Sequence, residues 1–154
     1  MTDLSALYND RIIELAAAIP PALKLANPDA SASAHSKLCG STIAVDLKLE
    51  GDTIADYGQT VRACLLGQAS ASIVAKNIVG TKISELRDVA ARMRRMLKEN
   101  GPPPDGRWSD LAVLEPVRDV KVRHASTLLV FEAIERALAS YEAAGAPEAT
   151  TAGA

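Results

Sequence analysis

The sequence predicts an α+β fold in which a small antiparallel three-stranded sheet packs against an amino-terminal helix and several carboxy-terminal helices. Two patterns carry this expectation. Residues 42–50 alternate apolar Ile43, Val45, Leu47 and Leu49 with mostly polar neighbours, as a strand with one buried face does, while long stretches on either side repeat their apolar residues at helical spacing. A chain of 154 residues is long enough for one hydrophobic core and too short for two ordinary domains. One domain over residues 1–142 is therefore expected.

In chain order, Leu4, Leu7, Ile12, Leu15 and Ile19 recur on one face with Asp10, Arg11 and Glu14 between them, which predicts an amphipathic helix over residues 3–19. Pro20-Pro21 ends it. Asn27-Pro28 and the small residues after it predict a crossing to a short extended piece near residues 31–36, paired beside a hairpin. The hairpin itself comprises residues 42–50, the Gly51-Asp52 turn and residues 53–61. Its second strand, with Ile54, Tyr57 and Val61, alternates poorly.

After Cys64, Gly67 and the run Ala69-Ser70-Ala71-Ser72 lead into Ile73, Val74, Ile78 and Val79, a helix whose small residues permit close backbone approach. Gly80 closes it, and Thr81 or Ser84 is expected to cap the next helix, which carries Ile83, Leu86, Ala90, Met93 and Leu97 on one face and Arg92, Arg94, Arg95 and Lys98 on the other. The run of residues 100–106, with three consecutive prolines, reads as a surface loop. A short helix over 108–114, a connector over 115–121 and a last helix over about 125–142 follow. The tail, residues 143–154, is rich in Ala, Thr, Gly and Pro and is expected to be disordered.

The chemistry centres on the two cysteines. If Glu50 pairs with Thr53 across the two-residue turn, Cys39 falls opposite Cys64 at the open end of the hairpin, and a one-residue slip would set Cys39 opposite Ala63 instead. Opposed residues in such a ladder lie about 4.5–5.5 Å apart, close enough for one ion, one cluster edge or one disulfide to reach both sulfurs. A formal charge of −2 shows none of the basic excess of a nucleic-acid-binding protein. No apolar run approaches the length of a membrane span, and the first residues lack a secretion signal. A cytoplasmic location is expected, where two cysteines read as ligands or reactive thiols rather than a structural bridge.

Cys39-Gly40-Ser41 before the hairpin, Ala63-Cys64 before an Ala-Ser-rich helix, and Arg123-His124-Ala125-Ser126-Thr127-Leu128 opening the last helix resemble the iron–sulfur cluster assembly scaffold family that includes IscU, SufU and the amino-terminal domain of NifU. The likeness covers roughly residues 4–138 and implies the SufE/NifU-like fold. The Pro-rich loop and Trp108 stand where SufU-type proteins carry an insertion relative to IscU, so the resemblance is closer to SufU. Two positions depart from the family pattern: Ser41 replaces an aspartate, and Ser126 stands where the third cysteine falls.

The resemblance implies a scaffold that accepts iron and sulfur on thiolates and passes a transient cluster to client apoproteins, without being an enzyme in the ordinary sense. A SufU-like alternative is a zinc-dependent acceptor of persulfide sulfur from a cysteine desulfurase, and a further one is an adaptor that has lost its metal site. In either active form Cys39 and Cys64 would act as acceptor thiols and as metal or cluster ligands, and His124 is expected as the third ligand, with His35 in reserve. A homodimer pooling cysteines would answer the missing thiol. The basic residues Arg92, Arg94, Arg95, Lys98, Arg118, Lys121 and Arg123 read either as solvated faces or as the docking surface for the desulfurase. Nucleic acid and membrane are not expected partners.

Overall fold

The computed structural model describes residues 9–37 and 40–144. The elements are α1 (Asp10–Ala17), β1 (Ala30–His35), β2 (Thr42–Glu50), β3 (Thr53–Arg62), α2 (Leu65–Asn77), α3 (Ile83–Lys98), a 3₁₀ helix (Gly106–Asp119) with a short continuation (Lys121–Arg123), and α4 (His124–Ala143). The three strands form one antiparallel sheet in the order β1-β2-β3. Helix α4 lies across β1 and β2, α2 packs between α4 and α1, and α3 lies on α4 and the 3₁₀ helix. The amino-terminal helix thus rests chiefly on α2 and reaches the sheet through it.

Each element follows from local chemistry. Asn9 caps α1 by accepting a hydrogen bond from the Ile12 N–H at 2.9 Å on its Oδ1. The alternation Ala30-Ser31-Ala32-Ser33-Ala34 turns alanines inward and serines outward, and these small inward residues leave room for α4 above. The crossing segment is tied down by Asp46, which accepts from Leu25 N at 3.0 Å and Ser31 Oγ at 2.6 Å. Gly58 is required where this segment passes: a Cβ there would lie 2.5 Å from the Leu23 carbonyl oxygen.

The hairpin pairs Glu50 with Thr53 and Leu49 with Ile54, as expected, and then shifts, because Lys48 faces Asp56 and Ala55 is left without a partner. From there to Thr42 opposite Arg62 the register is one residue beyond the uniform one. This bulge explains the poor alternation of β3. Ile54 points inward on one side of it and Tyr57 and Gln59 point inward on the other, so the inward parity switches at Ala55. The ladder consequently does not carry the alignment that would have set Cys39 opposite Cys64, and Cys39 itself lies outside the described residues.

Residues 80–83 add a short bridge to the start of β3, with Ile54 N donating to Thr81 O at 2.9 Å and Ile83 N to Asp52 O at 2.8 Å. That bridge places Lys82 at the cap of α3, which has no side-chain cap bond; Thr81 is buried and donates backward to Asn77 O at 2.9 Å. The expected capping role of Thr81 or Ser84 is therefore not the one adopted. Residues 106–119 form one 3₁₀ helix rather than a short helix and a connector. Trp108, Leu111, Leu114 and Val117 recur every third residue and are all buried, which suits a helix of three residues per turn. The last helix begins at His124, and most of the tail expected over 143–154 lies outside the described residues. Among the described residues no helix is long and apolar enough to cross a membrane.

Candidate functional site

The site is built where the first turns of α2 and α4 meet. Cys64 is the amino-terminal cap residue of α2, with extended backbone (φ −67°, ψ 173°) and no side-chain cap bond, so its thiol is left to point elsewhere. It points at α4: the half-buried Cys64 thiol donates to Ser126 Oγ at 3.4 Å. The Ser126 hydroxyl in turn donates to Arg123 O at 3.2 Å, and Ser126 is only 1% exposed.

Gly67, one turn into α2, makes the approach feasible. A Cβ on it would stand 2.7 Å from Ala63 Cβ and 3.2 Å from the Ser126 carbonyl oxygen. The two helix starts therefore abut backbone to backbone at this point. Ser126 is the position that the ungapped resemblance assigns to the family's third cysteine, and it is the side chain in contact with Cys64.

His124 is seated differently. Two residues before Ser126, it projects about 200° around the helix axis from it. Its Nε2 lies 3.0 Å from Val117 O and 3.2 Å from Arg118 O. Since carbonyls only accept, Nε2 carries the hydrogen and donates to both, which leaves Nδ1 as the one ring nitrogen with a free lone pair. The ring is 8% exposed and lines a cleft with Lys98, Arg118 and Lys121 in which Cys64 takes no part.

The remaining expected residues divide plainly. His35 is exposed at the end of β1, with Nδ1 3.1 Å from Thr42 Oγ1. Ser41 is buried, and its carbonyl accepts from Ser36 N at 2.8 Å, closing the turn before β2. Of the basic residues, Arg92 is paired with Asp88 and Asp105, Arg94 with Glu135, and Arg118 with Glu115 and Gly101 O. The Arg94 guanidinium is held above its usual range by its hydrogen bond to Glu135. Arg95, Lys98, Lys121 and Arg123 enter no salt bridge among the described residues. Sequence reasoning read Gly67 and the small residues after it as permitting close backbone approach, and left unnamed the neighbour, the start of α4 at Ser126.

A zinc ion would want about four donors, soft ones preferred. Among the described residues no three His, Cys, Asp or Glu side chains gather to hold an ion. Cys64 supplies one sulfur, Ser126 a neutral hydroxyl, and the His124 ring faces another way. Cys39, the other expected sulfur, lies outside the described residues, so these donors are a partial set.

Comparison with known proteins bears on the same region. No protein-family model matches the chain. Over 101 residues, 65% of this chain and 70% of the relative, it is 24% identical to the iron–sulfur cluster assembly scaffold protein IscU of Thermotoga maritima. A SUF-system iron–sulfur cluster assembly scaffold protein from the thermophile Fervidobacterium islandicum shares the fold, with a TM-score of 0.80 at 18% identity over 88% of this chain and 99% of that one. The amino-terminal part of a nitrogen-fixing NifU-like protein from Brucella abortus superimposes with a TM-score of 0.88 at 49% identity, covering 90% of this chain and 96% of that one. With identity at that level along nearly its whole length, the chain belongs to the NifU-like iron–sulfur cluster assembly scaffold family.

Proposed function

We propose that the protein is a cluster assembly scaffold whose cargo is held by the Cys39 and Cys64 thiolates and delivered to client apoproteins. One observation carries the reading: the Cys64 sulfur stands at a helix start, uncommitted to capping and half open to solvent, against a buried hydroxyl on a second helix. Thiolates are soft donors suited to iron–sulfur clusters. A hydroxyl in the third position gives a weaker hold than a sulfur would. The scaffold reading therefore favours a labile cargo, completed by solvent or by a thiol from a second molecule.

Sulfur would arrive from a persulfide on a cysteine desulfurase. The attacking thiolate forms a new sulfur–sulfur bond to the outer sulfur of the donor's persulfide, and the donor cysteine leaves as its thiolate. Cys64 or Cys39 would take this role.

Anaerobic reconstitution with ferrous iron and sulfide tests the scaffold reading. Visible absorbance, with iron and acid-labile sulfide in comparable amounts, is expected for the full chain and is expected to vanish in Cys64→Ala and in Cys39→Ala. Wild-type protein that takes up neither iron nor sulfide would defeat the proposal. Full cluster retention in Cys64→Ala would do the same.

A further inference from the structure

We propose that the cleft between the end of α3 and the start of α4 is a binding site for a small polyanion, a di- or tricarboxylate or a phosphate, separate from the thiol site. The cleft has a volume of about 610 Å³, within the range of small-molecule sites. Its floor is apolar, from Leu97 and Ala125, and its walls carry Lys98, Arg118, Lys121 and His124. Cys64 and Ser126 are not among its walls, because Ser126 and His124 leave α4 on opposite sides.

Three features distinguish this cleft from an ordinary basic surface. First, Arg92 and Arg94 on α3 are paired with carboxylates, whereas Lys98 and Lys121 enter no ion pair among the described residues. Second, the Arg118 guanidinium is braced on one edge by Gly101 O and Glu115, each 3.0 Å from its Nη2, so it is oriented before any ligand arrives. Third, His124 is nine-tenths buried and lines the cleft, its Nε2 fixing the ring through Val117 O and Arg118 O, and the buried Arg118 Nε beside it has no hydrogen-bond partner among the described residues. Asp119 is the one carboxylate on the wall, and it already has an interaction of its own.

The walls carry two lysines in no ion pair and an arginine shared with Glu115, against one engaged carboxylate, around a pocket too small for a folded partner. A compact anion with two or more charged groups matches this, because hydrogen bonds to ionised groups are the strong ones. This inference does not depend on the scaffold reading.

Backbone amide NMR on the full apo chain, titrated at constant ionic strength with citrate and separately with inorganic phosphate, tests it. Saturable shifts are expected at residues 97–101 and 117–125 with at least one probe, and which probe binds more tightly distinguishes a carboxylate ligand from a phosphate. The exposed pair Lys98→Gln/Lys121→Gln is expected to weaken that binding by about tenfold or more, with the remaining spectrum unchanged. His124→Gln serves as a second variant with the same expectation. No saturable response to either probe, or undiminished affinity in the lysine pair, would overturn the proposal. Tighter binding of an acidic hexapeptide than of both small anions would also overturn it, in favour of a protein partner.

Discussion

A cysteine at position 126 would set a second sulfur where a hydroxyl now lies 3.4 Å from the Cys64 thiol. Ser126→Cys is accordingly expected to bind zinc at least about tenfold more tightly than the wild type, because a thiolate replaces a neutral oxygen among soft donors. Competition with a chromophoric chelator measures this, and equal affinities would show that the neighbouring position cannot reach a metal held by Cys64. Ser126→Ala removes a buried donor to the Arg123 carbonyl and should cost about 1 kcal/mol of stability. Gly67→Ala asks more of the backbone. With its Cβ 2.7 Å from Ala63 Cβ and 3.2 Å from Ser126 O, the helix starts must separate, and a loss of about 1–3 kcal/mol in denaturant unfolding is expected together with faster cluster release. Wild-type stability in this variant would mean that the two turns are not in tight contact. The pairing of Cys64 with residue 126 was legible in the sequence through the resemblance. The seat of His124 was not, since it depends on α4 beginning one residue earlier than the apolar pattern indicated and on carbonyls of a 3₁₀ helix that pattern had not revealed.

At the level of elements, the sequence disclosed most where one period was sustained. The inward row Ile43, Val45, Leu47, Leu49 marks β2, and Leu86, Ala90, Met93 and Leu97 mark α3, and both elements stand where their periods place them. Two other periods were present and passed unread. Trp108, Leu111, Leu114 and Val117 repeat at three, which belongs to a 3₁₀ helix and falls between the strand and α-helix templates. In β3 the parity switch between Ile54 and Tyr57 is the trace of the bulge. The cap of α3 was hidden for another reason, because residues 80–83 are claimed by the edge of β3 before they can serve the helix. Gly58→Ala probes the crossing segment at the same scale. Its Cβ would meet backbone, the Leu23 carbonyl at 2.5 Å, so a loss of at least about 1–3 kcal/mol is expected by thermal or denaturant unfolding. A variant as stable as wild type would show that the segment 20–29 moves freely off the sheet.

For the whole molecule, pH dependence follows from two groups of opposite sense. Burial raises the Tyr57 hydroxyl well above its ordinary range, and it donates to Gln59 Oε1 at 2.7 Å inside the core. The folded state therefore keeps a proton that the unfolded chain gives up, so this contribution is complete below the unfolded value near pH 10 and declines as the pH rises beyond it. Equilibrium unfolding between pH 8 and 11 should show a steep alkaline loss that is reduced in Tyr57→Phe, and an unchanged slope would contradict the burial of this hydroxyl. On the acid side, the hydrogen bond from Arg87 holds the exposed Glu142 carboxyl below its ordinary range. Its contribution is present above the unfolded value and is lost as the pH falls through the lowered one, a small effect that salt should screen. The unpaired Ala55 matters differently from any residue of the ladder. Excising it would leave Leu49 opposite Ile54 and Lys48 opposite Asp56, so each later pair would stand as it does and Tyr57 and Gln59 would still face the core. What would go is the kink and extra twist that a bulge gives a strand near its turn. A chain shorter by that residue is expected to keep the aim of its Cys64 sulfur, and to lose instead the local curvature against which residues 80–83 dock.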